Sequence, residues 1–519
     1  MAPILHAPLQ HSSFSLDASG VAGFFGGDEA ISAMSTVHLF KGRRWVGWFN
    51  SPGSYTIGKC YGCLANSRWW DGLFPGPNHS PAKTFGLDGK KGPNYVGTCS
   101  GTRMRTTHLG HLFMDKCRER EWKVVEVRGR RRTTPSTVSV VELGHIPSTE
   151  HVSIGPIDSA LYALIPIFVS VTTCALCALV EDWWASSMIL LGIVAGGVSC
   201  FVIGSGKVTL DWHNRPSPGV PPGDGFLTST ENSDIAVVLG REEVVNVLTK
   251  GRFKINLQGG PEYRLVGLAA LILETQFFFQ LLLIPQATLF GQIMFVASLA
   301  VSWVYTSYLS SKEKEKIQAD ILWGAFKKPQ VRRYSLGTRG ESATFTTLVL
   351  NPTDPEKVLA EFVPNDTRVW KKWRKTVSDG IKGGELRFGP ADWNLNDLEK
   401  DEKQLYEGLL GSAEDAYHGY LGYLDDLKRA KEEEAKEKER QAPQRSMTQA
   451  TSMSMSTLVS SGRTSMESME KKIRKFTRSM STLIPPRRPS ESDLEKGEVS
   501  ESDTETKQAY DSENSLVSS

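Results

Sequence analysis

Net charge is nearly missing from this chain. Its 519 residues set 60 Lys+Arg against 58 Asp+Glu, a formal balance of +2. A general nucleic-acid binder carries its basic excess in that balance, so nucleic acid is not expected as a partner. Catalytic signatures are missing as well. There is no Gly-x-x-x-x-Gly-Lys-Ser/Thr phosphate loop, no His-Glu-x-x-His and no Gly-x-Ser-x-Gly elbow. Gly20, Gly23, Gly26 and Gly27 lack the strand and helix that a dinucleotide fingerprint needs. A non-enzyme with no cofactor is therefore expected. Cysteine is sparse, at 7. Cys60-Tyr61-Gly62-Cys63 is a Cys-x-x-Cys pair, followed by Cys99, His108, His111 and Cys117. The later spacing is not that of a finger. Cys60 and Cys63 are thus weak zinc candidates, and reduced thiols are the plainer account. Residues 1–30 lack a basic start followed by an apolar stretch, so no signal peptide is expected.

What is present is apolar length, concentrated in two places. Ala160 to Ile203 is interrupted only by Glu181 and Asp182, and Leu265 to Leu309 by Glu274, Gln276 and Gln280. A crossing takes about 20 apolar residues, so each block is long enough for a helical hairpin. Spans are expected near 160–180, 184–204, 265–284 and 288–309, with Glu181-Asp182 and Pro285 marking the turns. Trp183, Trp184, Trp303, Tyr305 and Tyr308 suit headgroup depth. The hairpin turns carry no Lys or Arg. Lys312, Lys314, Lys316, Lys327 and Lys328 follow the fourth span, and Lys207, Arg215, Arg252, Lys254 and Arg264 flank the central loop. By the positive-inside bias, both termini and the central loop are cytosolic.

Two features inside the spans carry chemistry. Gly192, Gly196, Cys200 and Gly204 recur at every fourth position and form a small-residue stripe suited to close helix packing, in this chain or against a second copy. Glu274 falls near the middle of the third span, where an ionised carboxylate is costly and marks a candidate functional site. Gln276 and Gln280 lie on another face, so the polar residues do not make one pore-like stripe. Thr172, Thr173 and Gln276 are the candidate partners of Glu274. Cys174, Cys177 and Cys200 read as small apolar packers.

The chain outside the blocks divides by composition. Residues 1–157 are irregular, with no clear period. Residues 158–204 and 264–309 are the two hairpins. Residues 205–263 read strand–helix–strand over Ile235 to Leu239, Arg241 to Thr249 and Phe253 to Leu257. Residues 310–395 hold a helix over Lys312 to Phe326, a strand over Thr344 to Leu350, and helices starting at Pro355 and near Asp366. The expectation is that the central loop and residues 335–395 form one small cytosolic α+β domain. Residues 396–440 read as a charged helix with coiled-coil-like spacing of Leu398, Leu405, Leu409, Ala416, Tyr420, Leu424 and Leu427. Residues 441–519 are rich in Ser and Thr and read as disordered. Within that tail Lys471, Lys472, Arg474, Lys475 and Arg478 alternate with Met469, Ile473, Phe476 and Met480, a basic amphipathic helix suited to anionic lipid or a protein groove. Ser490 follows Arg487-Arg488-Pro489 and is a candidate phosphosite.

The stretch Gly155-Pro156-Ile157-Asp158-Ser159-Ala160-Leu161-Tyr162 through Gly204, and Leu283-Ile284-Pro285-Gln286-Ala287-Thr288-Leu289-Phe290-Gly291-Gln292, resemble uncharacterised multi-pass membrane proteins of filamentous fungi, of basidiomycete type. The resemblance covers the membrane region and nearby loops. It implies architecture and lineage and brings no site residues.

The expected fold class is thus an α-helical integral membrane protein, with four transmembrane helices as two hairpins, a small cytosolic α+β domain and a disordered tail. The expected role is a non-enzymatic membrane-anchored scaffold or regulator, with a small oligomeric transporter or channel using Glu274 as the alternative. Asn78-His79-Ser80 and Asn365-Asp366-Thr367 are glycosylation sequons. Both should remain bare, and the chain should stay in the pellet after alkaline carbonate extraction. A glycan on Asn78 would reverse the assigned sidedness.

Overall fold

The computed structural model of the chain describes residue 9 and residues 25–65, 68–76, 80–125, 135–147, 155–156, 161–212, 216–229, 233–256, 264–389 and 398–436 except 434. The tail residues Lys471, Lys472, Arg474, Lys475, Arg478 and Ser490 lie outside them. The chain divides into two units, Met1–Asp426 and Leu427–Ser519. In the second, residues 427–433 are helical and mostly exposed. The first unit holds the apolar helices and the sheets.

Three helices are long and apolar enough to cross a membrane: Trp183–Ile203, Leu265–Gln286 and Leu289–Ser310, of 21, 22 and 22 residues. At about 1.5 Å per residue, each matches a hydrocarbon core of about 30 Å. The apolar helix Leu164–Leu179 has 16 residues and is shorter. All four carry large apolar side chains on their outer faces. Phe168 is 71 % exposed and Leu282 63 %, while Leu190, Phe278 and Val304 are also exposed. A water-facing helix would put polar residues there.

The two outer turns are tied by one carboxylate. Asp182 is buried. Its Oδ1 caps the second helix by accepting from Ala185 N at 3.2 Å. Its Oδ2 accepts from Thr288 N at 2.9 Å and Thr288 Oγ1 at 2.6 Å. Thr288 in turn caps the fourth helix through Gly291 N. One side chain thereby satisfies donors at the start of two helices.

Residues 1–157, expected to be irregular, are structured wherever they are described. They form the helices Gly27–Met34, Ser54–Gly62 and His108–Arg118 and four strands of a seven-stranded sheet. The sheet order is Arg103–Arg105, Asn94–Gly97, Gly225–Thr228, Ile235–Gly240, Ser136–Leu143, Val331–Leu336 and Trp122–Val124. Ser136–Leu143 pairs parallel with Ile235–Gly240 and antiparallel with Val331–Leu336. Its alternating valines, Val138 and Val140, are fully buried. Segments before the first apolar helix, between the second and third, and after the fourth thus hydrogen-bond in one sheet. The expected α+β domain is therefore larger than the central loop plus residues 335–395, because the amino-terminal region supplies more than half the strands.

The remaining elements obey local chemistry. Helix Glu242–Lys250 buries Val244, Val245, Val247 and Leu248 on one face. Strand Arg252–Asn256 pairs with Lys207–Asp211 and stands outside the large sheet. Thr344 to Leu350, expected as a strand, is the second half of helix Arg339–Leu350. β-Branched threonines mislead here. Thr344 and Thr347 donate their hydroxyls to Gly340 O and Ala343 O, which satisfies these polar groups inside a buried helix. Pro355–Phe362 and Arg368–Gly383 come next in the chain. Residues 400–426 form a helix that buries Tyr406, Leu410, Ala413, Ala416 and Tyr423, while Leu405 of the expected stripe is exposed.

His38 joins the amino-terminal region to the end of the second apolar helix. Its ring is 2 % exposed, donates from Nδ1 to Gly206 O at 3.3 Å, and meets Phe85 edge-on. Burial pushes the imidazole from its ordinary 6.5 down to about 4, against the Gly206 carbonyl, which favours the proton. The unfolded chain therefore takes up the proton first as pH falls, and the stability from this residue is complete above about 6.5 and lost toward about 4. Between pH 7 and 5 the loss should be about 2 kcal/mol. Thermal unfolding of the full chain in micelles should show this slope. His38→Gln should flatten it, and an equal slope in the variant would exclude His38 as its source.

Candidate functional site

The interior of the apolar helices is occupied by the chain's own amino-terminal segment. Residues 44–50 run alongside the stripe of Gly192, Gly196, Cys200 and Gly204. A Cβ added at Gly192 would strike Asn50 Oδ1, and one at Gly196 would lie 2.8 Å from Phe49 O. One at Gly204 would strike Arg44 Cβ. A Cβ added at Gly47 would in turn lie 2.8 Å from Cys200 Sγ. The stripe was expected to face a helix. Its closest neighbour is instead this segment, a 3-10 turn over Arg43–Trp45 followed by irregular backbone, because Gly at these positions lets backbone approach closely. Helix Ser54–Gly62 then packs along the third apolar helix. Gly58 lies against Ala270 O, and Tyr55 against Phe277 at 5.1 Å between ring centroids.

Asn50 is 0 % exposed and organises the polar atoms at this depth. Its N–H donates to Ser170 Oγ of the first apolar helix at 3.0 Å. Its Nδ2 donates to Ser298 Oγ of the fourth at 2.8 Å. Gln276 Nε2 donates to Gln280 Oε1 at 3.3 Å, and Gln280 Nε2 to Met188 O of the second helix at 3.3 Å. Irregular backbone among apolar helices is tolerated where protein surrounds it; Asn50 Oδ1 and Gln276 Oε1 remain buried without a partner among the described residues.

Glu274 does not join this network. Thr173 Oγ1 donates to Val169 O and Ser170 O. Gln276 is committed to Gln280. Neither is a partner of Glu274, which lies half-buried against Gly58, where an added Cβ would be 3.2 Å from its Cγ. Asn50 carried no sequence signal of its role, since one Asn in a loop has no period.

A groove opens on the sheet, with a volume of about 750 Å³. Arg103, Arg105, Arg339, Tyr95 and Phe362 are among its lining. Phe362 stacks on Phe226 with 4.3 Å between centroids. Glu361 is neutralised by Arg103, and Asp234 by Arg118 and Arg333. Arg339 stands at the first turn of its helix, where Thr338 Oγ1 accepts from Glu341 N at 3.1 Å. Guanidinium groups beside a helix amino terminus favour an anionic ligand.

Cys60 and Cys63 stay on helix Ser54–Gly62 and its cap, while Cys117 is buried and Cys99 exposed. The set brought together among the described residues is His111, Asp115 and Glu315, with ligand atoms within 4.8 Å of one another. Its carboxylates already have cationic partners: Arg118 Nη1 lies 3.0 Å from Asp115 Oδ1, and Lys90 Nζ 2.5 Å from Glu315 Oε1. Burial works to raise the Glu315 carboxyl, but Lys90 and His111 outweigh it and the net shift is downward. His108 is occupied by Gln318 Oε1 at 2.9 Å, and burial lowers its imidazole. Comparison with family models, curated proteins and solved structures returns no match.

Helix propensity and packing make opposite predictions at Gly192. Replacing a helical Gly by Ala should stabilise by about 1 kcal/mol on propensity alone. The Asn50 contact reverses that sign, so Gly192→Ala should destabilise by about 1–3 kcal/mol. Chemical unfolding in micelles decides between them, and a stabilised variant would remove the buried segment from this position.

Proposed function

We propose that this chain is an integral membrane protein of four spans whose bundle is an anchor, and whose sheet body recruits an anionic partner at the Arg103–Arg105–Arg339 groove. The observation that carries this reading is the filling of the bundle by residues 44–58, with Asn50 bonded to two apolar helices. A bundle whose interior is filled by its own chain is suited to holding rather than conducting. Exposed Phe168, Leu190, Phe278, Leu282 and Val304 support lipid as the surroundings. Helix Leu164–Leu179 is short for a span, and local thinning of the bilayer accommodates such a length. Strands drawn from before, between and after the hairpins into one sheet favour a single side for all three segments. The lysines following the fourth span favour the cytosol. The groove volume is in the range that small ligands and peptide side chains occupy.

Transport through Glu274 is the competing reading. Glu274→Gln and Glu274→Leu should leave membrane retention and the proximity-labelled neighbours unchanged. Arg105→Glu combined with Arg339→Glu should lose the neighbours while the chain still resists carbonate. If both Glu274 variants abolish function with neighbours intact, transport takes precedence over recruitment.

A further inference from the structure

Arg43 places a guanidinium among the apolar helices at 6 % exposure. Its Nη1 lies 3.5 Å from Val46 O and 3.6 Å from Cys200 Sγ, and its Cζ stands 5.6 Å from the centre of the Tyr305 ring. Its Nε, equally buried, has no acceptor among the described residues. No described carboxylate forms an ion pair with it. A buried Lys or His can shed its proton, but a guanidinium stays charged at any working pH. The desolvation cost must therefore be met by negative charge nearby. A carbonyl, a thiol and a ring face supply dipoles but no net charge.

A cavity of about 60 Å³ adjoins this group, and Arg43, Gly47, Ser51, Ser199, Cys200 and Thr306 are among its walls. Ser199 is buried, and its Oγ has no partner among the described residues. The cavity thus combines a fixed positive charge, an unused N–H and an unused hydroxyl, with apolar walls from Ala30, Met34 and Leu273. That set suits a small, weakly hydrated monovalent anion. Sulfate and phosphate need more donors and more room, and a carboxylate metabolite more volume. We propose that this cavity is a halide site, occupied by chloride in the cell, in which the anion neutralises Arg43 and accepts from Ser199. Its walls come from the buried amino-terminal segment and from the second, third and fourth apolar helices, so the anion fastens that segment in place. The site depends on packing within the bundle, not on lipid around it or on a partner in the groove.

Thermal unfolding of the full chain in micelles tests this at constant ionic strength, with chloride or bromide replacing gluconate. Both halides should raise the midpoint in a saturable way, and Arg43→Gln should abolish the difference between the salts. An equal midpoint in all three salts, or an undiminished halide effect in Arg43→Gln, overturns the site. Chloride-35 line broadening supplies the readout should Arg43→Gln fail to fold. Wild-type protein should broaden the line, bromide should reverse it, and Ser199→Ala should weaken the apparent affinity roughly three- to tenfold. Broadening that is absent, or identical in Ser199→Ala, rejects the proposal.

Discussion

The insertion of residues 44–58 between apolar helices is the constraint on which the rest depends. An irregular backbone surrounded by hydrocarbon-like side chains leaves N–H and C=O groups that no solvent can meet, and each costs several kcal/mol if unpaired. The chain meets part of that cost with few atoms. Ser170 accepts the Asn50 N–H, Ser298 accepts its amide, and Gly192 and Gly196 present no side chain, so that the segment can approach. All four apolar helices thus contact a segment outside the apolar blocks. The small-residue stripe has the composition of a dimer interface, but its neighbour lies in the same polypeptide.

Two further ties hold the bundle from its ends. At the outer turns, Asp182 caps one helix and draws in Thr288, the cap of another, so the two hairpins begin their second helices from a common carboxylate. At the other end the sheet joins strands from three separate stretches of chain. Arg333 binds its edge by donating to Arg118 O and Arg120 O at 2.7 and 3.2 Å. Its Nη2 donates to Thr137 Oγ1 at 3.0 Å. These long-range pairings close large loops, which makes the amino-terminal region integral to the body.

The charged groups divide between two settings. In the groove, Arg103 already has Glu361 and Arg105 bonds Gly92 O at 3.4 Å, while Arg339 projects at a helix start with water as its screen. Beside the end of the second apolar helix, Arg43 is buried and has no ion pair among the described residues, so its charge is less screened. The same side chain is thus open to solvent in one place and buried without an ion pair in the other. Glu274 is less isolated than its position in an apolar run implies, since Gly58 and the following Lys59 lie on the helix packed against it.

The residues alone determined the elements whose signal is local. Apolar length marked the helices at Leu164–Leu179, Trp183–Ile203, Arg264–Leu283 and Leu289–Ser310. Alternation and cap chemistry marked Ile235–Gly240, Glu242–Lys250 and Pro355–Phe362. Periodicity is written wherever one face of an element meets a different solvent from the other. It failed at Arg339–Leu350, which is buried on every side and so shows no face, and whose threonines imitate a strand. It was silent on Asn94–Gly97 and Arg103–Arg105, strands too short to display a period. Tertiary structure alone decided what lies against the glycine stripe, which carboxylate joins the hairpins, and where Arg43 is buried. Those are contacts between residues up to 248 positions apart, as between Asn50 and Ser298. Their free energy arises from desolvation and shape at the meeting point, a property that neither partner carries in its own neighbourhood of the chain.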